Sequence, residues 1–261
     1  MNSTSTIPQT VDPMDLEKKV KQMYTDVALH PHQEYHFEMG RQLAEHLGYQ
    51  PALLDAIPAA SIDSFAGVGH YFDMASIQKG EHIVDLGCGS GMDVFYASQL
   101  TGMSGEVIGV DMTDAQLNKS KKLKASSAPS NTTFVKGHIE ALPIVSSSID
   151  VVVSNGVINL SSNKQRVFEE AARVLRKGGR LVLSDIVSSS VLPTSISCNS
   201  TYWAACIGGA ITESDYTQLI EAQGLEIMAI KENPYAFISK GAAGATAEYG
   251  IKSISVLAIK K

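Results

Sequence analysis

Two carboxylates and three glycines carry the clearest chemical signal in this chain of 261 residues. Asp85 stands just ahead of Gly87, Gly89 and Gly91 in DLGCGSG, and Asp111 follows in GVDMT. Glycines at a strand-to-helix turn permit positive φ and let the backbone approach a ligand, whose polar groups then meet the free N–H groups at the helix start. A carboxylate placed as Asp111 is accepts hydrogen bonds from both ribose hydroxyls. The spacing GxGxG departs from the dinucleotide pattern GxGxxG, and Asp85 occupies a position that is more usually apolar in a nicotinamide-binding unit. A cationic, adenosine-containing ligand suits that carboxylate better than a pyrophosphate. Elsewhere, His30, His32, His36 and His70 are the groups whose ordinary pKa suits a general base near neutral pH. Tyr24, Tyr35, Tyr202 and Trp203 could wall a pocket. The cysteines, Cys88, Cys198 and Cys206, fall at irregular spacing that fits neither a disulfide framework nor a zinc site, so no metal is expected.

These groups need elements to position them. Ile83 to Leu86 reads as a buried strand, Met92 to Leu100 as a helix, and Glu106 to Asp111 as a second strand. Thr113 to Lys124 follows as a polar helix, Asn131 to Lys136 as a third strand and Ser148 to Ser154 as a fourth with a continuous apolar run. Ser162 or Asn163 caps a helix whose apolar face is Val167, Phe168, Ala171, Val174 and Leu175, with Gly178 and Gly179 as its stop. Arg180 to Val187 is the fifth strand, and Leu225 to Lys231 with Ile251 to Lys260 completes the sheet as an antiparallel pair. Strands alternating with helices predict a doubly wound, mostly parallel α/β sheet of seven strands, with ligands at the strand ends. At two of those ends stand Asn155–Gly156 and, after the third strand, Ile139–Glu140.

Residues 1–12 read as a frayed tail, 13–78 as an N-terminal helical cap and 79–261 as the ligand-binding domain, with an insertion at 188–211 long enough to wall the site. In the cap, Met14 to Tyr24 and Arg41 to Leu47 read as helices, and Pro51 opens a short helix that Pro58 ends. The stretch around His30, His32, Tyr35, His36 and Phe37 reads either as a surface loop with its rings packed down or as a lid. His70 and Tyr71, in the glycine-bearing turn Ala66 to Phe72, either approach the ligand or pack. The net charge of −6, without a lysine or arginine run, disfavours nucleic acid and points to a small-molecule substrate. No apolar stretch approaches the about 20 residues of a membrane helix, and the first residues lack a signal-peptide pattern, so a soluble, cytoplasmic protein is expected.

DLGCGSG followed by GVDMT resembles the class I S-adenosylmethionine-dependent methyltransferases. Within that family, DLGCGSGMD, GVDMT, SNGVINLSSNKQRVFEEAARVLRKGGRL, SDIV and CIGGA resemble the arsenite methyltransferase group over roughly residues 65 to 225. The resemblance implies S-adenosylmethionine as cofactor, held by Asp85, Gly87, Cys88, Gly89, Gly91, Asp111, Met112, Ile139, Glu140, Asn155 and Gly156. Arsenic in that group is bound through cysteine thiolates in three regions, and the matching positions here are Val68, Gly156 and Cys206. One thiol of the set survives. Were 198–206 a helix, Cys198 and Cys206 would stand about 12 Å apart at ~1.5 Å rise per residue, too far to share one atom. The expected acceptor is therefore a small soft nucleophile, foremost a thiol such as methanethiol or hydrogen sulfide, with His36, His30, His70, Tyr24 and Cys206 as candidate catalytic groups. Arsenite, another small organic acceptor, a non-catalytic cofactor-binding module and a nicotinamide oxidoreductase are the alternatives.

Overall fold

The computed structural model describes residues 11–35, 37–127, 131–199, 202–203, 207–237 and 240–261. His36 and Cys206, two of the candidate catalytic residues, lie outside the described residues, as does most of the N-terminal tail. The chain forms a seven-stranded sheet: β1 (His82–Leu86), β2 (Glu106–Asp111), β3 (Thr132–Lys136), β4 (Ile149–Asn155), β5 (Leu175–Val187), β6 (Leu225–Glu232) and β7 (Lys252–Lys260). Their order is β3-β2-β1-β4-β5-β7-β6. The first five strands run parallel, and β7 runs antiparallel between β5 and β6.

Alternation along each strand builds two cores, because successive side chains point to opposite faces. Ile83, Val151, Val153 and Val182 pack on one face with Leu43, Tyr49, Phe95 and Tyr96. Val84, Leu86, Val152, Leu181 and Leu183 pack on the other with Phe168, Tyr216 and Ile220. Truncating any one of these fully buried aliphatic side chains to alanine costs about 2–5 kcal/mol.

Helix α1 (Pro13–Leu29) starts on Asp12, whose side chain accepts from Met14 N at 2.9 Å, with Pro13 at the first helical position. It runs to Leu29, beyond the expected end at Tyr24, because Val27 and Ala28 are buried and extend the apolar side. Four helices follow before β1: α2 (Gly40–Leu47), α3 (Pro51–Leu54), α4 (Ala59–Asp63) and α5 (Phe72–Ala75). Pro58 does not end α3, which stops at Leu54; it precedes α4 instead. In the sheet domain, α6 (Met92–Thr101) and α7 (Asp114–Ser127) connect β1 to β2 and β2 to β3, and α8 (Lys164–Val174) leads into β5. Gly178 and Gly179 are not the helix stop. The strand already starts at Leu175, which pairs with Ile149, and the register shift before Arg180 pairs with Val151 places both glycines in a bulge. Among the described residues, no helix is long and apolar enough to cross a membrane.

Candidate active site

A cavity of about 150 Å³ opens at the carboxyl ends of β1, β2 and β4, where open α/β sheets place their ligands. Its floor is the β1–α6 turn. Gly87 has φ +69 and Gly89 φ +51, and a Cβ at Gly87 would fall 2.4 Å from Val157, so only glycine fits there. Asp85, Cys88, Asp111, Met112, Ile139, Glu140, Asn155 and Gly156 also line the cavity, as does Tyr24. Gly91 is not among the lining residues. It begins α6 at φ +91, and a Cβ there would fall 2.8 Å from the Phe134 ring, so it serves packing.

The electrostatics are those of a cation site. Burial, with Asp93 and Asp111 adding repulsion, holds the Asp85 carboxyl well above the usual carboxylate range. Burial also raises Asp111, although Gly89 N donates to one of its oxygens at 2.9 Å and Thr113 N to the other at 2.7 Å. Asp93, which lines the same cavity, is raised by burial against the donors Tyr49 and Tyr71, each with its hydroxyl 2.7 Å away. Asp93 already accepts from Tyr49, Tyr71 and Asn155, while Asp85 and Asp111 are buried acceptors lining the cavity to which a positively charged, hydroxyl-bearing ligand can donate, so these residues fit S-adenosylmethionine. Glu140 accepts from Ser161 Oγ, and both residues line the cavity. Among the described residues, no group of three or more His, Cys, Asp or Glu is arranged to hold a metal.

Asn155 lines the cavity, but its amide is engaged by the protein. Its Oδ1 accepts from Val68 N at 2.8 Å and Gly69 N at 3.3 Å. Its Nδ2 donates to Gly69 O at 3.0 Å, Tyr49 Oη at 3.1 Å and Asp93 at 3.2 Å. The side chain therefore pins the Gly67–Gly69 turn to Asp93, a role that the sequence reading, which assigned it to the cofactor, did not contain.

The described histidine candidates, His30, His32 and His70, stand apart from the cavity. His30 and His32 are exposed, and Tyr35 spends its hydroxyl on His30 O. The described part of the histidine-rich loop contributes no lining residue; the wall on that side is α1, through Val20 and Tyr24. His70 packs edge-on against Tyr49, with Tyr96 and Phe72 nearby, and burial lowers its pKa against the opposing pull of Asp73. Tyr71 is a fully buried packing group that donates to Asp93. Of the pocket-wall candidates, Tyr202 is exposed and Trp203 is buried. Sequence reasoning missed Asp93, Tyr49 and Gln116. Asp93 had a signal in its position: a carboxylate two residues after Gly91, set between Met92 and the run Val94 to Ala97.

Residues 77–224 match the family model described as methyltransferase domain. The chain is 38% identical over 202 residues to the arsenite methyltransferase of Halobacterium salinarum, an overlap of 75% of this chain and 50% of that protein. To the human arsenite methyltransferase it is 42% identical over 151 residues, 54% of this chain and 40% of the relative. The chain thus spans half or less of the length of these relatives. The crystal structure of an arsenic(III) S-adenosylmethionine methyltransferase from Chlamydomonas reinhardtii superposes with a TM-score of 0.69 at 32% identity, covering 81% of this chain and 74% of that one. The fold alone is shared with the geranyl diphosphate C-methyltransferase of Streptomyces coelicolor, 14% identical over 97% of this chain with a TM-score of 0.68. The chain belongs to the methyltransferase domain family, and it is a class I S-adenosylmethionine-dependent methyltransferase related to the arsenite branch.

Proposed function

We propose that this methyltransferase acts on a trivalent arsenic acceptor that reaches the protein already carrying thiolate ligands of its own. The observation behind this reading is the pairing of Val68 with Gly156. The two positions adjoin, a Cβ built on Gly156 falling 3.2 Å from Val68 Cγ1, yet neither offers a thiol. They are two of the three positions that the resemblance assigns to metalloid-binding cysteines. The relatives named arsenite methyltransferases support arsenic as the reacting atom, and the missing thiolates then require that its ligands arrive with it. A second feature favours arsenic over a free thiol, which was the leading expectation from sequence and gains no support from the relatives. A thiol must lose a proton before it is a good nucleophile, and no histidine is among the described residues that line the cavity. An arsenic lone pair needs no base.

In this reading Asp85 faces the cationic amino-acid end of the cofactor, Asp111 the ribose hydroxyls, and Ile139 with Glu140 the adenine. When bound, S-adenosylmethionine supplies an electrophilic sulfonium methyl group. The chain's contribution is alignment and exclusion of water: Asn155 fixes the turn at Gly67–Gly69, while Phe65, Val157 and Leu160 give the cavity apolar walls.

The test is to incubate the protein and S-adenosylmethionine with arsenite and a small thiol, together and separately, and to measure S-adenosylhomocysteine and methylated products. Methylated arsenic formed only when arsenite and thiol are both present is the expected result. A methyl thioether formed from the thiol alone would overturn the assignment in favour of thiol methylation.

A further inference from the structure

Lys164 is a buried lysine outside the cavity, and its surroundings tie together three parts of the chain that are far apart in sequence. Its Nζ donates to Asn159 O at 3.1 Å and to Ser161 O at 3.0 Å, closing the single 3-10 turn Ile158–Leu160 that follows β4. The same amine lies 4.6 Å from the ring centre of Trp203 in the insertion. Trp203 is fixed from its other side by its own indole N–H, which donates to Ser197 O at 2.7 Å. Burial lowers the Lys164 pKa to about 8, with Asp185 and Glu140 opposing, so the amine is cationic at neutral pH and attracted by the face of the indole.

Trp203 shares one buried apolar cluster with Val11, Leu16 and Val20, and Tyr24, Met112 and Leu160 pack against that cluster. Val20, Tyr24, Met112 and Leu160 also line the cavity. Trp203 therefore backs the wall that α1 contributes, next to Met112, the residue that follows the ribose carboxylate Asp111. At its carboxyl-terminal end α1 is held separately: Gln116 donates to Tyr24 O at 2.9 Å, Lys119 to Ala28 O at 3.1 Å and Ser64 to Val27 O at 3.1 Å. Its amino-terminal half has the apolar contact with Trp203 instead.

We infer that Lys164 and Trp203 are positioning residues, a latch that holds the amino-terminal half of α1 against the adenosine end of the cavity and so retains the cofactor. This inference rests on the placement of the cofactor proposed above. An unlatched α1 would still be tethered by Gln116, Lys119 and Ser64, so the protein stays folded while its ligand escapes faster.

The 261-residue chain and the variants Lys164→Met, Lys164→Arg, Trp203→Leu and Lys164→Met/Trp203→Leu test this by calorimetric binding of S-adenosylhomocysteine at a temperature where each is folded. Lys164→Met and Trp203→Leu are each expected to weaken binding about tenfold, with the acceptor KM and the kcat at saturating S-adenosylmethionine unchanged. The double variant should be no weaker than either single one, because both break the same contact, and Lys164→Arg, which keeps a cation and donors, should bind nearly as the parent does. Trp203 is the only tryptophan in the chain, so acrylamide quenching of its emission reads the latch directly and should rise in Lys164→Met. Unchanged affinity in Trp203→Leu, or purely additive losses in the double variant, would overturn the latch; should Lys164→Met not fold, the Trp203→Leu affinity decides. Asp111→Ala separates the underlying placement from the latch. If Asp111→Ala binds as the parent does, the cofactor placement fails; if it loses binding while Lys164→Met and Trp203→Leu keep theirs, only the latch fails.

Discussion

Replacing Asn155 by alanine separates two roles for a residue at the centre of the site, contact with the cofactor and support of the turn beside it. The amide makes five contacts, from 2.8 to 3.3 Å, all to protein atoms. An amide has two acceptor lone pairs, enough for the two contacts to Oδ1, but two N–H donors for the three from Nδ2, so the longest of those, 3.2 Å to Asp93, is the shared one. Alanine leaves Val68 N–H and Gly69 C=O without their Asn155 partner and takes one donor from the buried Asp93. A buried group left unsatisfied costs about 1–3 kcal/mol, which for these two backbone groups gives a loss near 3 kcal/mol. At about 2–4 °C per kcal/mol for a chain of this size, the melting temperature should fall by roughly 6–12 °C. Because the released turn carries Val68, turnover should drop at least about tenfold, while S-adenosylhomocysteine affinity stays within about threefold of the parent. Asn155→Asp is the sharper companion: it keeps the acceptor for the turn, loses the donors and sets a further carboxylate against Asp93, so it should destabilise more as pH rises. Thermal melting, calorimetry and initial rates on the same preparations suffice. A variant Asn155→Ala that loses cofactor binding tenfold or more, with the turnover of saturated enzyme intact, would refute the turn-positioning role.

Three other changes have definite outcomes. Asp85→Asn should bind S-adenosylhomocysteine about thirtyfold or more weakly and yet make the ligand-free protein more stable. The folded pKa of Asp85 is raised, so ligand-free stability declines as pH rises from about 4 through that raised value, and the gap in melting temperature between variant and parent should be near zero at pH 4 and widen with pH. Glu170 accepts from Leu142 N at 2.7 Å and from Arg173 at 2.8 Å, while Arg166 reaches Glu140 O at 3.1 Å. Glu170→Gln should therefore raise the KM for S-adenosylmethionine about three- to tenfold through the loop that carries Ile139 and Glu140, with kcat unchanged. Val68→Cys combined with Gly156→Cys restores two thiols at adjoining positions for a strain of about 1–2 kcal/mol at the positive φ of 156, and the double variant should retain arsenite through gel filtration where the parent does not.

The parts of the fold that were legible in the sequence are local. The β1 turn announces itself because glycine is needed where φ is positive, and the parallel strands because a strand buried on both faces reads as a continuous apolar run, as in Ile149–Asn155. Asp111 and Glu140 follow from strand ends. Which segment walls the cavity on the cap side was not legible, and the reason is physical. Imidazoles and aromatic rings crowded near His30 look like chemistry, yet the described residues of that loop are mostly exposed and none lines the cavity. The cover comes from α1, whose apolar side reads as ordinary amphipathic packing and gains meaning only when Trp203 arrives from 183 positions beyond Val20 to complete it. The second role of Asn155 was hidden for the same reason: nothing within its own strand shows that its amide bonds Val68 and Gly69, 87 and 86 positions away.

This division between local and distant information explains why the methyl donor could be read and the acceptor could not. Donor recognition uses backbone shape and single carboxylates, which one βαβ unit supplies. In the proposed reading, acceptor recognition is built where the Val68 turn, the end of β4 and the insertion meet, three segments with no common period or spacing. At that junction the two positions that a cysteine reading depends on hold a methyl-bearing side chain and a bare backbone in contact. Neither offers a thiolate, and in the proposed reading a soft acceptor that seats there brings its own ligands. Thiol-dependent arsenic methylation by the parent, and thiol-independent arsenic capture by the double cysteine variant, are thus two consequences of one pair of residues.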